Sequence, residues 1–312
     1  MLLAMSMNRG EIIQQMPKIS VITPSLNHGR FLRDTIESIK MQTMKDFEHI
    51  VVDGGSTDDT LDILREYPHV RWISEKEMDN NRILEACRKA IAMSRGDYIM
   101  QCCVSDGYLN KDWFRKCTSV LDSDKDLSLV WGLAQHMTED GDLGSITNPE
   151  YLEKNPPGKM DFLPFWLTFG FGFPENNYCV RREVLDICFP QRNSEDPLST
   201  NIANEFLYKF NTFGYLSIFL PAVASFGRSH HNQLSTILYE TLDNIQHLYI
   251  KRVKQYRRNL LRGKIKHEFR DGTSKVIGQV TASELTTIRK RILIHYAKHK
   301  IRKRLNELLE KL

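Results

Sequence analysis

Short, strongly apolar runs alternate along this chain with longer stretches whose apolar residues recur at helical spacing. Residues 18–23 (KISVIT) read as a strand, which Pro24-Ser25-Leu26-Asn27 breaks. Residues 30–41 resume with Phe31, Ile36 and Ile39 at helical spacing. Residues 47–52 form a second strand, 61–67 a helix capped by Asp58 or Asp59, and 70–74 a third strand. A helix over 81–94 carries Ile83, Leu84, Ala86, Cys87, Ala90 and Ile91. Arg95-Gly96-Asp97 then turns into a fourth strand, 98–104, that closes at Asp106. A helix over 112–123 and a strand over 128–131 keep the rhythm. This alternation predicts an α/β fold with a mostly parallel sheet flanked by helices.

The rhythm breaks over 140–176, where Pro156-Pro157-Gly158 marks a loop and 162–173 is aromatic and glycine-rich. Order resumes over 178–185 and 203–213, a strand follows over 216–226, and long helices with basic faces are expected from about 236. The expected organisation is an N-terminal arm (1–17), one domain (18–235, with halves 18–107 and 108–235) and a basic helical C-terminal region (236–312). Charge supports that last boundary. Residues 251–312 hold 19 Lys or Arg against 5 Asp or Glu, a balance of +14, and the rest of the chain carries −10. An apolar fraction of 41% with no run near membrane-spanning length indicates a soluble globular chain, expected in the cytoplasm. The first residues lack the basic start and long apolar stretch of a signal peptide. None of the six cysteines forms a CxxC pair, and Cys102-Cys103 lie in a core strand, so reduced buried thiols are expected.

The chemistry concentrates at strand ends. Val51-Val52-Asp53-Gly54-Gly55-Ser56-Thr57-Asp58-Asp59-Thr60 runs from a buried strand into an acid, two glycines and a polar turn. Open α/β sheets bind ligands at that end of their strands. With Asp106 closing another strand, two acids at two strand ends suggest a nucleotide and a metal. The first strand is followed by Pro24-Ser25-Leu26-Asn27-His28-Gly29, not by G-x-G-x-x-G, which argues against a nicotinamide-dependent dehydrogenase.

Taken in series, Ile19-Ser20-Val21-Ile22-Thr23-Pro24-Ser25-Leu26-Asn27, Phe31-Leu32, Thr35-Ile36-Glu37-Ser38-Ile39, Gln42-Thr43, the Phe47–Thr60 segment and Gly96-Asp97-Tyr98-Ile99 resemble family 2 glycosyltransferases of the GT-A fold. The resemblance is close over 18–107, looser to about 235 and absent beyond. It implies transfer of a sugar, with inversion, from a nucleotide-diphosphate sugar (UDP-sugar foremost) to an acceptor hydroxyl in a glycan, polysaccharide or glycolipid. It implies Mn²⁺ or Mg²⁺ as cofactor. Asp53 falls at the position that receives the base, with Pro24 and Asn27 in the loop packed on it. Asp79 is placed near the nucleotide, Arg82 near the diphosphate and Ser105 in the nucleotide site. Asp106 matches the metal-binding acid, though Val104 and Gly107 stand where other acids are usual. His230, in Arg228-Ser229-His230, would complete the metal shell or touch phosphates. Glu205 is the candidate catalytic base, with Asn204 in the competing slot and Glu195-Asp196 as a rival pair.

Plainer roles stand beside these: a turn-forming acid for Asp53, a surface acid for Asp79, a structural histidine for His230 and a helix-start acid for Glu205. Trp166, Phe169, Phe171 and Phe173 either stack on a sugar or fill a core, and Glu175 and Asn176 are candidate acceptor or sugar contacts. The basic tail, as in Lys298-His299-Lys300-Ile301-Arg302-Lys303-Arg304, suits peripheral contact with anionic membrane, an oligomer or partner interface, or plain solvation. No motif supports nucleic-acid binding. The thinned acid motif also admits a non-catalytic nucleotide-sugar-binding or scaffold protein on the same fold.

Overall fold

The structure, a computed structural model, describes residues 16–76, 82–146, 152, 156–169, 173–190, 202–233, 251, 252, 254–256, 258–260, 264–277, 283 and 286. The first apolar run becomes β1 (Ile19–Ser25), buried along its whole length. Parallel to it lie β2 (Phe47–Asp53) on one side and β4 (Tyr98–Gln101) on the other, and β3 (Val70–Ser74) adds to the outside of β2. Strands buried on both faces carry unbroken apolar runs such as Ile50-Val51-Val52. Several of their polar residues are paired. Glu48 accepts a 2.7 Å bond from the Ser20 hydroxyl and meets Arg71 and Arg95. A His49 ring nitrogen lies 2.9 Å from the Thr23 hydroxyl, and burial holds the imidazole down to about 3, hence neutral.

Helix α1 (Gly29–Lys40) buries Phe31, Leu32, Ile36 and Ile39. Asp59 takes the N-cap position of α2 (Thr60–Arg65) without a side-chain bond, and the contact to the first helical amide comes from Asp58. Its carboxylate accepts the Thr60 amide at 3.1 Å and also the first amide of α1, Gly29, at 2.9 Å. One exposed acid thus fastens two helix starts. Helix α3 (Arg82–Met93) precedes β4.

The second half adds β5 (Gly107–Tyr108), helix α4 (Trp113–Ser123), β6 (Leu127–Met137), β7 (Leu143–Ile146), β8 (Cys179–Arg181) and β9 (Leu216–Arg228). Strand order is β3-β2-β1-β4-β8-β6-β9-β5, with β7 on β6. The pairings make β3, β2, β1, β4, β6 and β9 point one way and β8, β5 and β7 the other, so the sheet is mostly parallel, as predicted. β4 and β5 stand four places apart in the sheet, yet only residues 102–106 join them; the sheet must curl. Chain order reverses between β1 and β4, which opens a crevice beyond their C-terminal ends.

The irregular aromatic segment supplies core. Trp166 is 0% exposed, and Phe173 stacks on Phe162 at 4.1 Å and packs against Trp131 and Phe210. Phe171 and the side chain of Phe169 lie outside the described residues. Further helices are Phe162–Phe169, Arg182–Cys188 and Ile202–Thr212.

The expectation of helices alone beyond 236 is corrected in part. Helical residues occur within 251–260, but β10 (Lys266–Glu268) and β11 (Ser274–Val276) pair as an antiparallel hairpin. Its turn explains the difference. Asp271 accepts the Thr273 amide at 2.8 Å, and Gly272 takes φ +82°, a conformation glycine adopts without strain. This region joins the main core through Leu260 and Ile277, both buried. The N-terminal arm to residue 15 and the basic run 298–304 lie outside the described residues.

The tight turn from α3 into β4 generates a test. A Cβ on Gly96 would sit 2.6 Å from the Ser20 backbone nitrogen and 2.7 Å from the Ile19 carbonyl carbon. Gly96→Ala must therefore push β4 off β1. The expected cost is about 1–3 kcal/mol in a urea melt, with the slope m unchanged.

Candidate active site

Three chain segments bring polar groups to the open end of the parallel strands. The first is the exit of β1. Pro24 lies past the last β1–β4 pair, Ile22 with Gln101. Alternate residues face the same edge, so Pro24 faces the side where β4 has ended, and its missing N–H breaks no ladder bond. Asn27 follows at φ +52°, a left-handed conformation that asparagine tolerates. Its amide donates to the Ser56 hydroxyl at 2.7 Å, and its side-chain oxygen accepts the Thr57 amide at 2.8 Å. The β1 loop is thus tied to the β2 loop.

The second segment is the exit of β2. Asp53 is 0% exposed. One carboxylate oxygen accepts the Gly55 amide (3.0 Å), the Ser56 amide (2.9 Å) and the Ser74 hydroxyl (2.7 Å); the other accepts the Ser56 hydroxyl. Gly55 takes φ +85°, where a side chain would be strained. In this arrangement Asp53 builds the turn, and the Ser56 hydroxyl relays it to Asn27.

The third segment is the exit of β4. Ser105 holds φ +86°, a strained conformation for a residue with a side chain. Its amide donates to Thr35 Oγ1 at 3.2 Å, that hydroxyl donates to the Asp106 carbonyl at 2.7 Å, and Arg228 Nε reaches the Ser105 carbonyl at 3.4 Å. These bonds hold the strained residue and present the Asp106 side chain. One Asp106 oxygen accepts the Arg228 amide at 3.1 Å, and the Asn176 side chain also bonds the carboxyl. Burial outweighs both bonds and, with the nearby charge of Glu175, raises the Asp106 carboxyl to about 7.

Asn176 and Glu175 therefore belong to the same crevice. Asn176 is buried and donates to the Phe226 carbonyl at 2.9 Å, so much of its amide is spent on the fold. Glu175 is open to solvent at its surface, yet sunk among enough protein that desolvation raises its carboxyl. The thiol beside them, Cys103, is pushed up to about 12 by burial and by Asp106 and Glu175, which makes it unreactive. All six cysteines are free, as the sequence implies.

His230 follows β9. It is 6% exposed, with its ring 5.2 Å from that of His28 and 4.8 Å from that of Phe31. Burial and His28 keep its imidazole below the usual range and hence neutral, and its Nδ1 has no hydrogen-bond partner. Two more buried polar atoms stand without partners on the β1 exit, Ser25 Oγ and His28 Nε2. Sequence reasoning missed both, although they adjoin Pro24 and Asn27, the two residues it singled out in this loop. Polar atoms of this kind at strand tips are free to bond a polar ligand or water.

Other candidates sit elsewhere. Trp166 is in the core with no face open to a sugar. Glu205 lies in the first turn of helix Ile202–Thr212, where the Tyr256 hydroxyl donates to it and Arg252 approaches at 3.6 Å. Asp79, Glu195, Asp196 and the side chain of Arg82 lie outside the described residues.

The sequence profile described as "Glycosyl transferase family 2" matches residues 20–185, more than half of the chain. The chain belongs to this family. It is 34% identical over 135 residues to the chondroitin synthase of Escherichia coli, a match covering 42% of this chain and 19% of that protein. It is 30% identical over 119 residues to a PGL/p-HBAD biosynthesis glycosyltransferase of Mycobacterium bovis (strain BCG / Pasteur 1173P2), covering 37% and 46%. The chain thus spans less than half the length of these family 2 relatives. Among solved structures, S. aureus TarS 1-349 in complex with UDP-GlcNAc aligns with a TM-score of 0.52 at 19% identity, over 69% of this chain and 60% of that one. The mannosyltransferase PcManGT from Pyrobaculum calidifontis in complex with GDP-Man and Mn²⁺ aligns with a TM-score of 0.53 at 17% identity, over 77% and 65%. These likenesses establish the GT-A fold expected from the motifs.

Would this family 2 site suit a divalent cation? Among the described residues no three His, Cys, Asp or Glu side chains gather as a ligand set. Asp106 still suits one, because a cation would offset the burial that raises its carboxyl, and the neutral His230 keeps a free lone pair. Phosphate oxygens and water would have to supply the remaining positions.

The Asp106 shift has a measurable sign. Unfolded, its carboxyl titrates near about 4. Folded, it titrates at about 7, so the folded chain keeps a proton the unfolded chain has lost. Stability therefore falls as pH rises through that window, and the loss is complete above 7. Asp106→Asn escapes that loss. Thermal melts are expected to show the variant several degrees above wild type at pH 8, with the gap closing toward pH 4–5.

Proposed function

We infer that this chain is an inverting glycosyltransferase that takes a sugar from a nucleotide-diphosphate donor, a UDP-sugar foremost, and passes it to an acceptor hydroxyl of a glycan or glycolipid. The observation that carries this reading is the crevice at the β1–β4 switch point. There a strained, tightly held residue presents the raised Asp106 carboxyl, and unpartnered polar atoms line the β1 exit.

The proposed roles follow from placement. Pro24 and Asn27 wall the base side. Asp53 sets the turn opposite and offers the base the oxygen now held by the rotatable Ser56 hydroxyl. Ser105 aims Asp106, and Asp106 with His230 would hold the Mn²⁺ or Mg²⁺. When bound, that cation offsets charge on the departing diphosphate. Asp79 and Arg82 keep their sequence-based roles toward ribose and diphosphate as proposals. Peripheral attachment at the cytoplasmic face of a membrane is proposed from the +14 balance of residues 251–312 and from the lipid-linked acceptors this chemistry can serve. Among the described residues no helix is long and apolar enough to cross a membrane.

The small number of acids gathered around Asp106 favours one second reading, a protein that binds nucleotide-sugars without turnover. A thermal-shift panel of UDP, GDP and dTDP, each with and without Mn²⁺, tests both. UDP at about 100 times its Kd should raise stability by about 2.7 kcal/mol. Asp106→Ala should remove the Mn²⁺-dependent part of that shift. Release of UDP from a UDP-sugar then separates the readings: turnover supports the enzyme, and binding without turnover supports the rival.

A further inference from the structure

We propose that Glu175, rather than Glu205, is the carboxylate that takes the proton from the acceptor hydroxyl. The proposal rests on the glycosyltransferase reading and assigns the group that reading leaves open.

The turn that carries Glu175 is fixed on three sides. Asn176 donates to the Phe226 carbonyl at 2.9 Å and accepts the Ser225 hydroxyl at 3.0 Å. Asn177, 0% exposed, donates to the Leu133 carbonyl at 3.1 Å, and its side-chain oxygen accepts the Gly132 amide at 3.2 Å. The indole of Trp113 donates to the Asn177 carbonyl at 2.9 Å. β6, β9 and α4 thus hold the backbone on which Glu175 stands. Two successive residues bury their amides to build this mount, while the first of the three turns outward.

That outward side chain is uncommitted. Glu175 is exposed, and among the described residues nothing donates a hydrogen bond to its carboxylate and no cation pairs with it. A carboxylate on a rigid mount, without partners, is available to a ligand. Its neighbour Asn176 bonds the Asp106 carboxyl, so the turn that carries Glu175 stands beside that acid. Gly227 leaves room between them: a Cβ there would lie 3.6 Å from Asn176 Nδ2 and 3.8 Å from Asp106 Oδ1. The charge of Glu175 is felt at Asp106, Cys103 and Tyr178, so its carboxylate lies near the Asp106 end of the crevice.

Two carboxyl groups therefore face one site from different supports, a pattern that separates roles. Asp106 is hydrogen-bonded and belongs to the diphosphate end. Glu175 is bare and belongs to the open side, where an acceptor enters. Glu205 does not compete. Tyr256 and Arg252 hold it, and both come from the segment 251–260, so it fastens that segment to helix Ile202–Thr212.

In the step proposed, the acceptor O–H proton passes to a Glu175 oxygen. The acceptor oxygen bonds to the anomeric carbon, and the bond from that carbon to the diphosphate oxygen breaks. Its electron pair leaves with the nucleoside diphosphate. The proton then passes from Glu175 to solvent.

The test compares wild type, Glu175→Gln and Glu205→Gln, using UDP binding by calorimetry, melting temperature, and UDP release from a UDP-sugar with water as acceptor. Glu175→Gln should melt no lower than wild type, since burial disfavours the charge it removes, and bind UDP within about threefold of wild type. Its kcat should fall about 100-fold or more, with little change in donor KM, as loss of a general base requires. Glu205→Gln should melt several degrees lower and keep kcat within about tenfold. If Glu175→Gln retains kcat, or changes only KM, the assignment is wrong. It is equally wrong if Glu205→Gln loses about 100-fold in kcat at unchanged melting temperature. Wild type that binds no nucleotide sinks the transferase reading and this assignment with it. Binding and turnover that survive in Glu175→Gln sink the assignment alone.

Discussion

One buried guanidinium holds the open end of this sheet together. Arg228 is 5% exposed at the end of β9, and its groups reach four separate places. Nε meets the Ser105 carbonyl, one terminal nitrogen the Glu139 carbonyl at 3.1 Å, the other Asp34 on α1 at 2.6 Å, and its own amide the Asp106 carboxylate. Its plane also lies over the Phe31 ring at 5.0 Å. A lysine has a single nitrogen and no plane, and could satisfy only part of this set. The consequence is positional. The last strand, the first helix and the strained Ser105 are referenced to one another by a single side chain, so the place of Asp106 is set by the fold and not by its own loop.

That constraint explains why two acids beyond strand tips on either side of β1 behave differently. Asp53 has its donors within its own turn and the adjoining strand end, four of them, and lies completely inside the protein. Asp106 receives a single backbone N–H and the Asn176 amide while a second carboxylate bears on it. The first acid is finished by the chain and shapes a wall. The second is left with a deficit of positive charge that the chain does not make up, which is the condition under which a cation or a proton is drawn in. The strain at Ser105 fits the same logic, since it persists only because Thr35 and Arg228 overdetermine the turn.

The parallel half of the sheet was legible from residues because its signals are local. A buried strand shows as a run of β-branched residues, and Gly54-Gly55 and Arg95-Gly96-Asp97 punctuate it. Asp106 was visible as an acid at a strand end. Ser25 and His28 were not, since a missing hydrogen-bond partner belongs to three-dimensional surroundings and leaves no trace in sequence. Trp166 shows the opposite failure: an aromatic near glycines looks the same whether it lines a site or fills a core, and here Trp131, Phe162 and Phe173 already crowd the region it fills. The C-terminal hairpin was overridden by charge: basic spacing suggested helix, while Asp271-Gly272-Thr273 carried the turn.

The acids absent from the sequence around Asp106 illustrate how a site is counted. Along the chain, Val104 and Gly107 leave Asp106 alone. In space, β9 runs beside β5, with Gly107 opposite Phe226, and the turn 175–177 is bonded to that same stretch of β9. A carboxylate nearly seventy positions away in sequence is thereby brought to bear on Asp106. Gly107 is also no simple loss, because a Cβ there would meet the Phe226 ring at 2.6 Å and Ser38 Oγ at 2.5 Å. A side chain at 107 would have to displace the Phe226 ring and the Ser38 hydroxyl, right beside the Asp106 carboxyl. Glycine there leaves that ring and hydroxyl in place, and with them the stretch of β9 to which the distant turn is bonded.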